Sequence, residues 1–346
     1  MELCIINSEY TPIKIVDNIK SLIWTKKYQD CGDFELCVPA EKSLISYIKP
    51  DFFLIRDDDE SAMIIEKFQI KTDSENGDYF IISGRSLESI FCRRIINYFY
   101  SKRSDFILVI SDLLYATCIT RPERFDNIPE LELDTSFSLQ WNFFIQFSGG
   151  RTVLEAMQDI CVPHRVGFHT RLENGKIILS FWIGGESSAV FSNEFDNLIS
   201  SEYTFDYTNY ANYLWISGEG EGQSRVSTGL SLDFGKSGLQ QRQAYVDARD
   251  LSSNEGAISQ SDYISILQER GRQKAQEEHS VIETFEAEIE PRTTYQYKRD
   301  YNLGDVVTAE NGYGIKVKAR VSEITESWDD TGYKVMPKLE YYQEVV

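Results

Sequence analysis

Histidine is nearly missing from this chain: it occurs three times in 346 residues, at His164, His169 and His279. So sparse a supply argues against the common His-based metal and acid–base machinery, and the sequence holds neither an HExxH motif nor an HxH pair. Paired cysteines are missing too. The six cysteines, Cys4, Cys31, Cys37, Cys92, Cys118 and Cys161, form no CxxC motif, which argues against a zinc ribbon or a disulfide framework. They read as small apolar residues made in a reducing cytoplasm. No apolar run approaches the span of a bilayer, and the amino terminus enters a strand without the charged region and long apolar stretch of a signal peptide. A soluble protein with no membrane insertion is expected. Basic stripes are lacking as well: with 35 Lys and Arg against 55 Asp and Glu the net charge is −20, which speaks against tight duplex binding, because phosphate affinity comes from clustered cations.

What is abundant is aromatic: 20 Tyr and 20 Phe bring the aromatic share to 13%, which suits strands better than helices. From Met1 to about Tyr100 the chain reads as short strands and tight turns. Phe34, Leu36 and Val38 alternate with Glu35 and Cys37, Phe52–Ile55 and Ala62–Ile65 flank the acidic turn Asp57-Asp58-Asp59-Glu60, and Asn76-Gly77 divides Phe68–Thr72 from Tyr79–Ser83. With only a short helix after Glu41, this describes a small β-barrel over 1–101. From Lys102 to Val190 the period turns helical. Ser104-Asp105 starts a helix whose face is Ile107, Ile110, Leu114 and Cys118, and Thr152-Val153-Leu154-Glu155 has capping-box form ahead of the stripe Val153, Met157 and Ile160. A hairpin through Asn174-Gly175 follows, with Ile177, Leu179, Phe181 and Ile183 as its buried set, giving an α+β domain over 102–190.

Residues 191–346 read as a second barrel, interrupted by a loop and helix at about 249–278, the helix capped by Ser261. Glu202–Tyr207 and Asn212–Ser217 are the expected strand pair. Near the end, Leu303-Gly304-Asp305 makes a tight turn into a strand, and Asn311-Gly312 supplies the positive φ angles of a type I′ turn. On the return strand Ile315, Val317, Ala319 and Val321 alternate with Lys316, Lys318, Arg320 and Ser322, and the parity flips at Ile324, which predicts a bulge near Ser322-Glu323. The expected class is therefore β-rich and multidomain, α+β, with two small β-barrels and inserted α/β elements.

Four patterns invite chemistry and each has a plainer reading. Cys161 and His164 have the spacing of half a zinc site, with His169 nearby, but a zinc needs three or four convergent ligands, and a helix end and strand start that happen to contain these residues is the plainer reading. The run Asp57–Glu60 lacks the glycine and distal glutamate of a calcium loop and reads as a solvated hairpin turn. Gly218-Glu219-Gly220-Glu221-Gly222 resembles a phosphate loop in its glycines only, since its carboxylates repel an anion; Ser148-Gly149-Gly150-Arg151 precedes a helix but has no Walker lysine. No Ser-His-Asp or Cys-His-Asn set stands out, so no catalytic, cofactor-binding or metal residue is assigned, and no enzyme activity is expected.

In order along the chain, Trp24-Thr25-Lys26-Lys27-Tyr28, Gly32–Pro39, Ser83–Leu87, Arg93–Ile96, Phe191–Leu198, Tyr210–Tyr213, Gly218–Glu221, Ser237-Gly238-Leu239 before Arg242, Tyr301–Val307, Glu326 and Asp330-Thr331-Gly332 before Pro337 resemble the tail-hub proteins of long-tailed bacteriophages and prophages. The resemblance spreads over nearly the whole chain. It implies a structural virion protein at the tail tip, a homotrimer at the distal end of the tail tube that adapts the tube's symmetry to the tip, made in the host cytoplasm. Its implied partners are a tube or distal tail protein above and tip or fibre proteins below, with DNA passing in transit and not specifically bound, along an acidic wall if the net charge extends to the lumen. The rival reading is a tail-associated peptidoglycan hydrolase or endopeptidase. Many such hubs continue into a hydrolase or fibre-like extension, and the end at Val346 is read as an expectation against lytic or receptor function.

Overall fold

The computed structural model describes all residues except 73–76, 120–126, 140–142, 196, 290–294 and 343–346. The chain opens with β1 (Leu3–Ile6), β2 (Pro12–Val16), β3 (Ser21–Lys27), β4 (Asp33–Pro39), the single turn α1 (Lys42–Ile45), β5 (Phe53–Arg56), β6 (Asp59–Lys71) and β7 (Tyr79–Ser86). After a 3-10 turn at Leu87–Arg93 come β8 (Ile95–Ile96), β9 (Tyr100–Ser104), α2 (Phe106–Leu114), β10 (Leu131–Leu133), β11 (Phe143–Phe147), β12 (Arg151–Thr152), α3 (Val153–Cys161), β13 (Gly167–Glu173) and β14 (Lys176–Trp182). The last part holds β15 (Glu186–Ser192), β16 (Leu198–Asp206), β17 (Tyr213–Ser217), β18 (Ser227–Ser231), β19 (Gln243–Asp247), α4 (Gln260–Glu278), β20 (Ile282–Ile289), β21 (Val306–Glu310), β22 (Lys316–Asp329) and β23 (Gly332–Tyr341).

Two curled sheets carry the architecture. The first runs β2-β1-β5-β6-β7-β4-β3 and the second β15-β21-β22-β23-β20-β16. Each encloses its own core: Leu3, Val16, Trp24, Leu36, Leu54, Met63 and Phe80 come from the seven strands of the first, and Phe191, Val307, Val321 and Leu339 line the second. In each, the two edge strands are neighbours in sequence, β2 with β3 and β15 with β16, so the sheet must curl to bring its edges within reach of a short connection. Neither closes: among the described residues no strand pairing joins the edges, so the expected barrels appear as open, curled sheets.

The two sheets share one topology. Strands β2 to β7 correspond in order to β15, β16, β20, β21, β22 and β23, with β1 as an extra strand between β2 and β5. The corresponding neighbours have matching senses, and β6 and β22 bulge at matching places, between Ile65 and Lys67 and between Val321 and Glu323. The bulge predicted near Ser322-Glu323 is therefore present. Antiparallel pairing of β3 with β22 zips the sheets into one.

Between them, α2 and α3 cover β13 and β14, with Phe106, Ile110, Met157, Ile160, Phe168 and Leu179 in a shared core. The capping box at α3 forms as its sequence predicts: Thr152 Oγ1 accepts from Glu155 N and the Glu155 carboxylate from Thr152 N. Asn174 and Gly175 take φ of 51° and 74°, the turn the β13–β14 hairpin needs. The α2 face is built on Phe106, Val109, Ile110, Leu113 and Leu114, with Ile107 only half buried.

Several expectations are corrected. Glu202–Tyr207 and Asn212–Ser217 do not pair: β16 pairs with β20, while β17 lies between β18 and β19 in a separate sheet whose inner face packs on α4. The α4 cap is Ser259, which accepts from Asp262 N, and not Ser261. Ile183 is exposed, because β14 ends at Trp182. Positive φ falls on Gly314 and not on Asn311-Gly312. The Asn311 carboxamide instead accepts from Tyr313 N and Ile315 N, which holds a wider turn. Arg320 is buried although its parity is that of the wet face. Asn76 lies outside the described residues.

Candidate functional site

The seam between the two sheets is also where the charges are most deeply buried. Arg56, at the end of β5, has its guanidinium 4.3 Å from the ring centre of Trp328 and 5.2 Å from that of Trp24, and it reaches Glu326 at 3.1 Å and Asp58 at 2.9 Å. Tyr333 donates its hydroxyl to Glu326 at 2.8 Å. Beside it, Asp59 sits between Lys26 and Lys298, the latter at 2.9 Å and also donating to the carbonyl of Asp58. The aromatic walls exclude water and lower the local dielectric, so each charge here is tolerated only because it is paired. Burial pushes the Asp59 carboxyl up, but Lys26 and Lys298 outweigh it and hold the acid well below the usual carboxylate range.

The acidic turn is thus not simply solvated. Asp57 and Asp58 face outward, while the Asp59 side chain is 3% exposed and belongs to the seam. An open cleft of about 670 Å³ lies alongside, lined among others by Lys27, Asp59, Glu88, His169, Trp182 and Lys298. Glu88 is buried at its wall. Burial raises its carboxyl, yet His169 at 3.3 Å and the Thr170 N–H at 2.6 Å keep it below the usual range.

A second pin is Tyr28, at the end of β3 and 1% exposed. Its hydroxyl donates to the carbonyls of Arg165 and Trp182 and accepts from Gly184 N. Its ring lies so close to Gly304, which has φ of 91°, that a Cβ there would stand 2.4 Å from it. The Arg320 guanidinium lies over the same ring, 5.1 Å from its centre, and donates to the Gly304 carbonyl at 2.5 Å. Tyr28 therefore ties the first sheet, the middle part and the second sheet together.

The other sequence candidates are scattered. Cys161 is fully buried, and burial pushes its thiol up. His164 faces Glu269 of α4 at 3.8 Å, and burial pushes its imidazole down. His169 is at the cleft and His279 ends α4, where its Nδ1 meets the carbonyl of Asn209. Among the described residues no group of three or more His, Cys, Asp or Glu is placed to hold a metal. Glu219 of the glycine-rich loop accepts from Ser252 Oγ and Ser253 N, and Arg151 of the second glycine pair is ion-paired with Asp159. Both loops are used to dock one element on another. Sequence reading missed Tyr28, Arg56 and Lys26 as a junction. Its one trace was that Trp24–Tyr28 and Glu326 both stand among the quoted motifs. Among the described residues no helix is long and apolar enough to cross a membrane.

The sequence profile of the family described as Siphovirus ReqiPepy6 Gp37-like protein matches residues 2–339. No protein of curated function matches. In structure, the chain is similar to the 43 kDa tail protein of prophage MuSo2 from Shewanella oneidensis, at 16% identity and a TM-score of 0.64 over 98% of both chains. It is also similar to the tail protein from Neisseria meningitidis MC58 (14% identity, TM-score 0.63, 98% of this chain and 96% of that one). Prophage tail protein gp18 from Listeria monocytogenes EGD-e gives 10% identity and a TM-score of 0.58 over 100% of this chain and 96% of that one. The phage resemblance read from the sequence motifs is thereby matched by family and by fold.

Proposed function

The chain belongs to the siphovirus ReqiPepy6 Gp37-like family, and we propose that it is a structural virion protein, the trimeric hub at the distal end of a phage tail tube. The observation that carries this reading is the likeness over 98% of both chains to a prophage tail protein, so that the whole fold and not a shared module is in common. The repeated sheet supports it: three copies would present six similar units around an axis, a match to a sixfold tube above and a threefold tip below. Residues 1–101 and 191–346 would supply those units and 102–190 would sit between them. Its partners would be a tube or distal tail protein above and tip or fibre proteins below. A net charge of −20 suits a passage that DNA traverses without sticking.

The role is proposed as non-enzymatic. A glycosidase acid needs a carboxyl raised toward neutrality, whereas Asp59 and Glu88 at the cleft are held low by their cations and hydrogen bonds. Gold labelling of an epitope-tagged chain on intact particles tests the placement. Label confined to the tail tip is expected. Label along the tube, or clearing of a peptidoglycan gel by the purified chain, would overturn it.

A further inference from the structure

The duplication makes a second junction readable. Within the chain, β3, an edge of the first sheet, pairs with the half of β22 that extends beyond its bulge, from Glu323↔Lys27 to Trp328↔Leu22. The counterpart of β3 is β16 and that of β22 is β6. Among the described residues, β16 pairs only with β20, and β6 beyond Ile65 pairs only with β7, so each keeps one edge without a strand. The β16 edge is bare of the usual protection: Ser201–Asp206 carries neither Pro nor Lys, whereas the β6 edge carries Lys67 and Lys71. Phe205 and Ile70 are 56% and 54% exposed.

Resting on the hub reading, we propose that β16 of one copy pairs antiparallel with Lys67–Lys71 of β6 in the next copy, repeating between chains the β3–β22 seam found within each chain. The register follows from the correspondence. Ile65 and Val321 precede the two bulges and face Gly84 and Leu339; these pair with Phe34 and Phe285, which pair in turn with Trp24 and Tyr203. Trp24 faces Glu326 within the chain, so Tyr203 faces Ile70, the residue in β6 that corresponds to Glu326. Continuing the ladder sets Asp206 against Lys67, Phe205 against Phe68, Thr204 against Gln69 and Glu202 against Lys71.

This register was fixed by topology alone, yet it puts opposite charges together at both ends and apolar rings together between them. At one row the intrachain seam joins Lys27 to Glu323. The interchain seam joins Asp206 to Lys67 at the corresponding row, with the signs exchanged. The contact is head-to-tail, so it propagates until a ring closes.

Cysteine trapping tests it. Thr204 and Gln69 correspond to Thr25 and Thr325, whose hydroxyls are 3.4 Å apart within the chain, so T204C with Q69C should form an interchain disulfide under a mild thiol oxidant such as diamide. A closed covalent trimer is expected from the double variant and none from either single variant or from T204C with F68C. Lys71→Glu should shift the trimer toward monomer, and adding Glu202→Lys should restore it. A trimer by light scattering without the T204C–Q69C cross-link would overturn this seam and leave the hub reading standing. A chain that stays monomeric at every concentration, uncross-linked, would overturn both.

Discussion

Arg56 has a side chain with no exposed surface, clamped between two indoles, and its charge is answered by Glu326. Removing one member of a buried pair leaves the other uncompensated, which costs about 3–5 kcal/mol. Glu326→Ala is expected to lower unfolding free energy by that order in urea titration, whereas Asp58→Ala, which removes a carboxylate that is itself exposed, should cost less than about 1 kcal/mol. Asp59 makes the seam acid-sensitive. Its folded pKa lies below the unfolded value of about 3.9, so its contribution is fully present above that pH and is lost as pH falls through the folded value. Asp59→Asn should therefore lower stability at neutral pH and flatten the stability curve below about pH 4. An unchanged acid limb would mean that other carboxylates govern it.

Elements whose cause is local could be read from sequence. The Thr152 box needs only residues three apart, and Thr152→Ala should lower stability by about 1 kcal/mol in thermal melts, through α3. The Asn174-Gly175 hairpin and the β22 bulge are likewise written into turn chemistry and side-chain parity. What failed depends on distant partners. β16 finds β20 some 80 residues on, across an inserted sheet and helix, so Asn212–Ser217 looked the nearer partner for it. Arg320 reads as wet by parity until Tyr28, arriving from the other end of the chain, covers it. The duplicated topology left no repeat in the letters because strand order, sense and bulge position survive changes of side chain. Of the seam, Trp24, Lys26 and Glu326 stood in view as motif members, but nothing local says that they meet.

At the scale of the whole molecule, the proposed assembly is a ring of three chains in which six similar sheets alternate, joined by two kinds of equivalent seam. The intrachain seam is held by buried ion pairs and aromatic walls, so each chain should behave as one rigid block in assembly. The proposed interchain seam is exposed and charge-matched, so it should weaken as salt screens Glu202–Lys71 and Asp206–Lys67. The most direct test is the solution mass of the purified chain by light scattering, with negative-stain images of the same fraction. Three times the 39.9 kDa of one chain, in a ring with a central hole, is the predicted result; a monomer, or a dimer related by a twofold axis, would contradict it.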